Sequence, residues 1–396
     1  MSLGLRAALV AAMLLAAGSV MPAAAGEFPD SAGRIVAIPD HPNRVMAANP
    51  SAEVLVYVLA PQKLVGWARK PSGIGMPARY ARLPVHGQLS GPNPTASAAT
   101  VSRVHPDLII DTGTVTPERA AFADQIMQQT GVPYILIDNS FDRTPTMLRM
   151  IGRVLGVAGR ADDLASSAEH AINALRGRLL IQSATERPRV YYARGPNGLQ
   201  TAEPGSGAAA SIDAAGAINV AASLGVGQRV MVTPQQVRDW NPDVILVEER
   251  GFFTRMMRDP AWRGLRAVRN KKVVLEPAQP FGWIDDPPGV NRLVGLYWLS
   301  GLFYPDNAQD DLRALMVDFY EKFYGIKVTD AQVEAVAKTA GIPPSDTPHL
   351  SALPTMGPLP STGVPGAVNE PGRRGLLPNA GPPTAPPTTP SYMLPK

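Results

Sequence analysis

The sequence predicts an α/β fold of two parallel-sheet lobes joined by a long helical segment. Three observations predict it. Between about residues 30 and 342, short apolar runs alternate with helical stretches, the pattern of parallel strands covered by helices on both faces. TPTMLRMIGRVLGVAGRADDLASSAEHAINALRGRLLIQSA, residues 144–184, interrupts that pattern with no strand-like run. VSRVHPDLI (101–109) and VRDWNPDVI (237–245) align without gaps, each placing x-Pro-Asp before an apolar strand, as two similar lobes on either side of a helical joint would.

In chain order, VMAANPSAEVLVYVLA (45–60) reads as strand, turn and helix, with Asn49 or Ser51 as cap and Pro50 in the first turn. DLIIDTG (107–113) is a short buried strand. The helix of 116–131 is capped by Thr116, has Pro117 at its first position and ends at Gly131. VPYILIDNS (132–140) is the next strand. One helix then runs to about Leu155, and a second from about Arg160 to Ser183 carries an apolar stripe of Leu164, Ala168, Ala171, Ile172, Leu175 and Leu179. Strand–helix alternation resumes with RPRVYYARG (187–195), a helix from 206, NPDVILVEE (241–249) and KKVVLEP (271–277).

The two ends differ from the middle. Arg6, the apolar run 8–20 and Ala23-Ala24-Ala25 form the three parts of a secretory signal peptide over residues 1–25, so export to the periplasm with cleavage near Ala25 is expected. From Pro343 to Lys396 the chain is rich in Pro, Gly, Ser and Thr and is expected to form a disordered or polyproline-like tail, either a spacer or a peptide for a partner. The intervening domains are expected at 26–158, 159–184 for the joining helix, and 185–342.

Composition removes several functions. The absence of cysteine excludes disulfides, thiolate metal sites, cysteine nucleophiles and a lipid-anchored cysteine. A net charge of +4 with no run of five basic residues argues against nucleic-acid binding. After the signal, no segment reaches the ~18 apolar residues of a membrane span. The five histidines, His41, His86, His105, His170 and His349, form no H-x-x-H or H-E-x-x-H cluster, so no bare metal site and no cofactor is expected. No G-x-S-x-G elbow appears, which leaves a secreted hydrolase as a minor alternative beside a periplasmic scaffold using the tail.

Ligands of α/β sheets bind at loops beyond the carboxyl ends of the strands. That rule selects Asn49-Pro50-Ser51; GWARKPSG (66–73) with Trp67 and Arg69; GQLSGPNPT (87–95) with Ser90, together with Asp111-Thr112-Gly113; RGPNGLQT (194–201) with Arg194; EERGFF (248–253) with Arg250; and GWIDDPPGVNR (282–292) with Trp283, Asp285 and Arg292. Guanidinium groups suit carboxylates, phosphates and oxyanions, so these arginines either line an anion-selective cleft or sit at the surface with packed stems. Pro287-Pro288 is expected to pre-set the turn into the helix that follows, with Asp285 or Asp286 capping it. Trp283 then either covers a ligand at the cleft lip or closes its lobe as core. Tyr57 reads as core, and one of Tyr191 and Tyr192 should face inward.

These residues also carry a family resemblance. R-I-V (34–36), N-P-S-A-E-V-L (49–55), L-V-G-W (64–67), H-P-D-L-I-I (105–110), G-V-P-Y (131–134), L-G-V-A-G-R (155–160), N-P-D-V-I-L (241–246) and V-R-N-K-K-V (268–273) follow one another as in the substrate-binding proteins of ABC importers for iron–siderophores, haem, vitamin B12 and some metal oxyanions. The resemblance covers about residues 30–325. It implies two Rossmann-like lobes bridged by a single long α-helix, a ligand cleft between them, and a stiff hinge. It also implies a monomer that is not an enzyme, and that delivers its ligand to an ABC permease and its ATPase. The leading expected ligand is an anionic metal chelate, a ferric siderophore or haem-type molecule; the alternative is molybdate or tungstate. The family docks through acids on the outer face of each lobe. Glu53 matches that pattern in the first lobe, whereas Gln235 and Gln236 stand where many members carry Glu.

Overall fold

The computed structural model describes residues 25–71, 75–179, 187–224, 230–305 and 312–342. The expected signal segment up to residue 24 and the tail from 343 lie outside them. A hairpin, β1 (Ala25–Pro29) and β2 (Ile35–Pro39), precedes the first lobe. That lobe is built on three parallel strands in the order β3 (Val45–Ala47), β4 (Leu108–Thr112) and β5 (Tyr134–Ile137). The second lobe has four parallel strands, in the order β7 (Ile218–Asn219), β6 (Arg189–Ala193), β8 (Val244–Val247) and β9 (Val273–Leu275). Every residue of β4, β5 and β8 is buried, because helices cover both faces of each sheet.

The helices start where the local chemistry places them. In α1 (Pro50–Leu59) the Asn49 side chain accepts from the Ala52 N–H and Pro50 occupies the first turn. In α2 (Pro117–Thr130) Thr116 accepts from the Arg119 N–H, and Gly131 ends the helix in the left-handed region at φ 70°. The x-Pro-Asp echo is a repeated joint. His105 and Asn241 each end a helix with positive φ, 50° and 43°. The following proline stops the helix, and the aspartate then accepts from backbone N–H groups at the start of the neighbouring strand. Asp107 takes those of Asn43 and Arg44 (2.7 and 3.0 Å), and Asp243 that of Arg189 (3.0 Å).

Helices α3 (Thr144–Val154) and α4 (Ala158–Leu179) occupy the strand-free segment. At 22 residues, α4 is about 33 Å long. It packs against α3 on the first-lobe side and against α5 (Arg292–Phe303) on the second-lobe side. Leu164, Ala168, Ile172 and Leu175 of its predicted stripe are buried, and Ala171 and Leu179 pack beside them. Gly152 permits the α3–α4 contact, since a Cβ there would stand 2.0 Å from that of Ala161. The predicted fold, two α/β lobes bridged by one long helix, is the observed one.

An aromatic seam lies beneath the junction of the lobes. Tyr57 stands 5.7 Å from Trp67 and 6.0 Å from Phe281, Phe281 is 5.5 Å from Tyr324, and Trp283 is 6.0 Å from Trp298. The Tyr57 hydroxyl donates to the Tyr324 carbonyl, so residues 312–342 fold back onto the first lobe. Offset and edge-on pairs of this kind add to the area they bury, which stiffens the joint.

Candidate ligand cleft

The carboxyl ends of both sheets face a cleft of about 1250 Å³. Asn49, Ser90, Thr112 and Arg119 line it from the first lobe, and Arg194, Ser206, Asp285 and Arg292 from the second. Four helix N-termini reach it: that of α1 through Ser51, that of α2 through Arg119, that of α5 through Arg292, and that of Gly207–Ala214 through Ser206. Helix N-termini present free N–H groups and positive partial charge, so their convergence favours an anion.

The first-lobe floor is organised by Asp111, which is 1% exposed at the end of β4. It accepts from Asn49 Nδ2 (2.6 Å), Ser90 Oγ (2.8 Å), Arg119 Nη2 (2.6 Å) and the Tyr134 hydroxyl (2.9 Å). Asn49 and Ser90 do line the cleft, but they are largely engaged in this network. Arg119 was not singled out in the sequence, where it reads as an ordinary first-turn residue. Its position just past a strand's carboxyl end was the available signal.

In the second lobe, Arg194 sits between Glu248 (3.3 Å) and Asp285 (3.4 Å) and over the Tyr192 ring. Burial alone would lower its pKa, but Asp285 and Glu248 outweigh that and hold it above its ordinary value. The Tyr192 hydroxyl donates to Glu276 and lies 3.2 Å from Asp285. Glu276 is pushed up to about 8, first by burial and then by Asp285; Asp285 is raised by burial, with Glu248 and Asp286 adding to it. Arg69 bridges from the first lobe to Asp286 at 2.5 Å, with both side chains about half exposed.

Arg292 differs from the other cleft arginines. It is 4% exposed and begins α5. It donates to the backbone carbonyls of Gly289 and Asn139, the second contact crossing between lobes. Among the described residues no carboxylate lies within ion-pair distance of it, whereas Arg69 and Arg119 each have one and Arg194 has two. Burial lowers its pKa to about 10, against the opposing pull of Asp285 and Asp138, so it stays charged at neutral pH.

Several sequence-based assignments are corrected. Trp67 and Trp283, 0% and 1% exposed, belong to the aromatic seam: their indole N–H groups point to the Tyr80 carbonyl and the Tyr320 hydroxyl. Arg250 does not line the cleft; Glu248, two residues earlier, is the group that turns towards Arg194, while Arg250 starts a helix with its side chain exposed. Asp285 and Asp286 do not cap α5, which begins six residues beyond Asp286 after Asn291, so Pro287-Pro288 precedes its first turn rather than forming it. Their carboxylates meet arginines instead.

Glu53 is not an outer-face acid. It is 2% exposed and accepts from the Ala68 (2.5 Å) and Arg69 (3.3 Å) N–H groups, so it pins the loop that carries Arg69. Burial pushes its pKa up to about 8. Of the other two docking candidates, Gln235 is exposed and bonded to Asp239 and Arg238, and Gln236 closes a capping box with Thr233. His86 packs against Gly66, with a ring nitrogen 3.2 Å from the Val65 carbonyl.

Comparison with known proteins agrees with this geometry. The model of the family described as periplasmic binding protein matches residues 52–280. The molybdate-binding protein MolA of Haemophilus influenzae is 27% identical over 347 residues, spanning 80% of this chain and 95% of MolA. The solved ABC transporter solute binding protein of Sulfurospirillum deleyianum is 25% identical, covers 79% of this chain and 99% of its own, and superposes with a TM-score of 0.73. The periplasmic haem-binding protein RhuT of Roseiflexus, also 25% identical, covers 68% and 100% with a TM-score of 0.52. The chain belongs to the periplasmic binding protein family.

Proposed function

We propose that this periplasmic binding protein, the ligand-capturing component of an ABC transporter, takes up a metal oxyanion of the molybdate or tungstate type. The observation that carries this reading is Arg292: a buried guanidinium with no carboxylate partner among the described residues, at a helix N-terminus, facing the cleft. A buried cation in that setting is best matched by an anionic acceptor with several oxygens. The lining supports a polar ligand, since it is rich in Ser, Thr, Asn, Gly and Pro and has Phe122 and Phe141 as its aromatic residues. The likeness to a molybdate-binding protein over 95% of that protein's length adds weight. Exported as its sequence predicts, the protein would hand the ligand to a membrane permease and its ATPase. Binding rather than chemistry is the role the cleft supports.

A second reading, an anionic ferric siderophore or haem-type chelate, is favoured by one observation. A cleft of about 1250 Å³ is far larger than one tetrahedral oxyanion. Titration calorimetry of the purified protein with molybdate, tungstate, sulfate, ferric siderophores and haem separates the two. Saturable binding of molybdate or tungstate, with sulfate weaker, supports the first; binding of a ferric chelate alone replaces it with the second.

A further inference from the structure

The first-lobe floor of the cleft holds polar groups that the Asp111 network does not use. Thr112 ends β4, lines the cleft and is 3% exposed, yet its hydroxyl Oγ1 is buried with no hydrogen-bond partner among the described residues. Arg119 Nε is in the same condition. An unmatched buried polar group costs stability, so natural proteins keep few of them.

The surroundings hold these two groups in place. Arg119 Nη2 donates to Asp111 (2.6 Å) and to the Thr112 carbonyl (3.1 Å), and Nη1 donates to the Thr114 carbonyl (3.1 Å). The guanidinium lies against Gly113, whose φ is 148°, and a Cβ there would stand 2.1 Å from Nη1. Glycine at that point is therefore required for Arg119 to lie where it does. The guanidinium is thus fixed by three carbonyl or carboxylate contacts, with Nε and the neighbouring Thr112 hydroxyl left over.

We infer that Thr112 and Arg119 form a first-lobe subsite for one oxygen of the bound oxyanion, opposite Arg292. This deepens the oxyanion reading and rests on it. The Thr112 hydroxyl and Arg119 Nε are donors that no protein group takes up among the described residues, and an oxyanion oxygen in the cleft would accept from them. Their fixed positions make the subsite sensitive to the size of the oxyanion, and so a determinant of selectivity between molybdate or tungstate and the smaller sulfate and phosphate.

Thr112→Val is the discriminating variant, because it removes the hydroxyl and keeps the shape. Removing an unmatched buried hydroxyl leaves the ligand-free protein as stable or more stable. A purely structural threonine would give the opposite result. Calorimetry with molybdate, tungstate, sulfate and phosphate is run on the wild type, Thr112→Val and Thr112→Ser, with ligand-free Tm measured in parallel. The expected result is a ten- to hundredfold loss of oxyanion affinity in Thr112→Val with an unchanged or higher Tm, and wild-type-like affinity in Thr112→Ser. Unchanged molybdate affinity in Thr112→Val overturns the subsite and leaves the oxyanion reading intact. A wild type that binds phosphate or sulfate but neither molybdate nor tungstate, with affinity lost in Thr112→Val, keeps the subsite and overturns the molybdate reading. A wild type that binds none of the four overturns both.

Discussion

Arg69 and Asp286 join the two lobes across the cleft at 2.5 Å, with side chains 52% and 43% exposed. A pair that open to water contributes about 0–1 kcal/mol. Asp286→Asn should therefore leave Tm nearly unchanged, as thermal unfolding followed by circular dichroism will show. A loss of several degrees would mean the pair holds the lobes together. The aromatic seam beneath is the stronger joint.

Arg292 is expected to behave differently. Arg292→Gln removes the charge while keeping a polar side chain with an amide donor, and it also gives up the reach of the guanidinium to the Asn139 carbonyl. A hydrogen bond to a charged partner is worth about 1.5–3 kcal/mol. Oxyanion affinity should fall roughly ten- to a hundredfold, more than for the same change at Arg69, whose charge Asp286 already balances. Direct titration of both variants gives the comparison.

Stability should depend on pH through Glu276 and Glu53. Both are pushed up to about 8 by burial, with Asp285 adding at Glu276. Unfolded, such carboxyls titrate near 4.3. Between those values the folded state holds protons that the unfolded state has released, so stability falls as pH rises from about 4.5 to 8 and then levels off. Urea unfolding at pH 5.5, 7 and 8.5 should give a declining series. Glu276→Gln should flatten it and be most favourable, relative to wild type, at pH 8.5. A series that rises with pH would mean both groups are ionised in the fold.

Gly295 tests how the loop of 282–292 is held. A Cβ there would stand 1.8 Å from the Trp283 carbonyl oxygen, a backbone atom that cannot swing aside. Gly295→Ala should destabilise by about 1–3 kcal/mol or more through overpacking, even though alanine is the better helix former. Its unfolding midpoint in urea measures this.

The parts of this molecule that were legible in its sequence are those written locally. Thr116, Pro117 and Gly131 mark their helix because a cap, a first-turn proline and a left-handed glycine act within one turn. Arg69, Arg194, Asp285 and Arg292 could be placed at the cleft lining because strand carboxyl ends fix where loops converge. Trp67 was misplaced, and Trp283 stayed open between the cleft lip and the core it joins, because their burial depends on partners far away in sequence, Tyr57, Phe281 and Trp298. Glu53 looked like an exposed helix acid until the loop carrying Ala68 folded over it. Arg119 carried only the weak signal of its place after a strand's carboxyl end, since the tertiary fold alone sets it against Asp111 and Gly113.

The most direct test of the account is to locate the metal itself. Crystals grown with molybdate and measured above the molybdenum absorption edge should show one strong anomalous peak in the cleft, its oxygens within hydrogen-bond reach of Arg292 on one side and of Thr112 and Arg119 on the other. A fully occupied peak outside the cleft, or none at saturating molybdate, would contradict it.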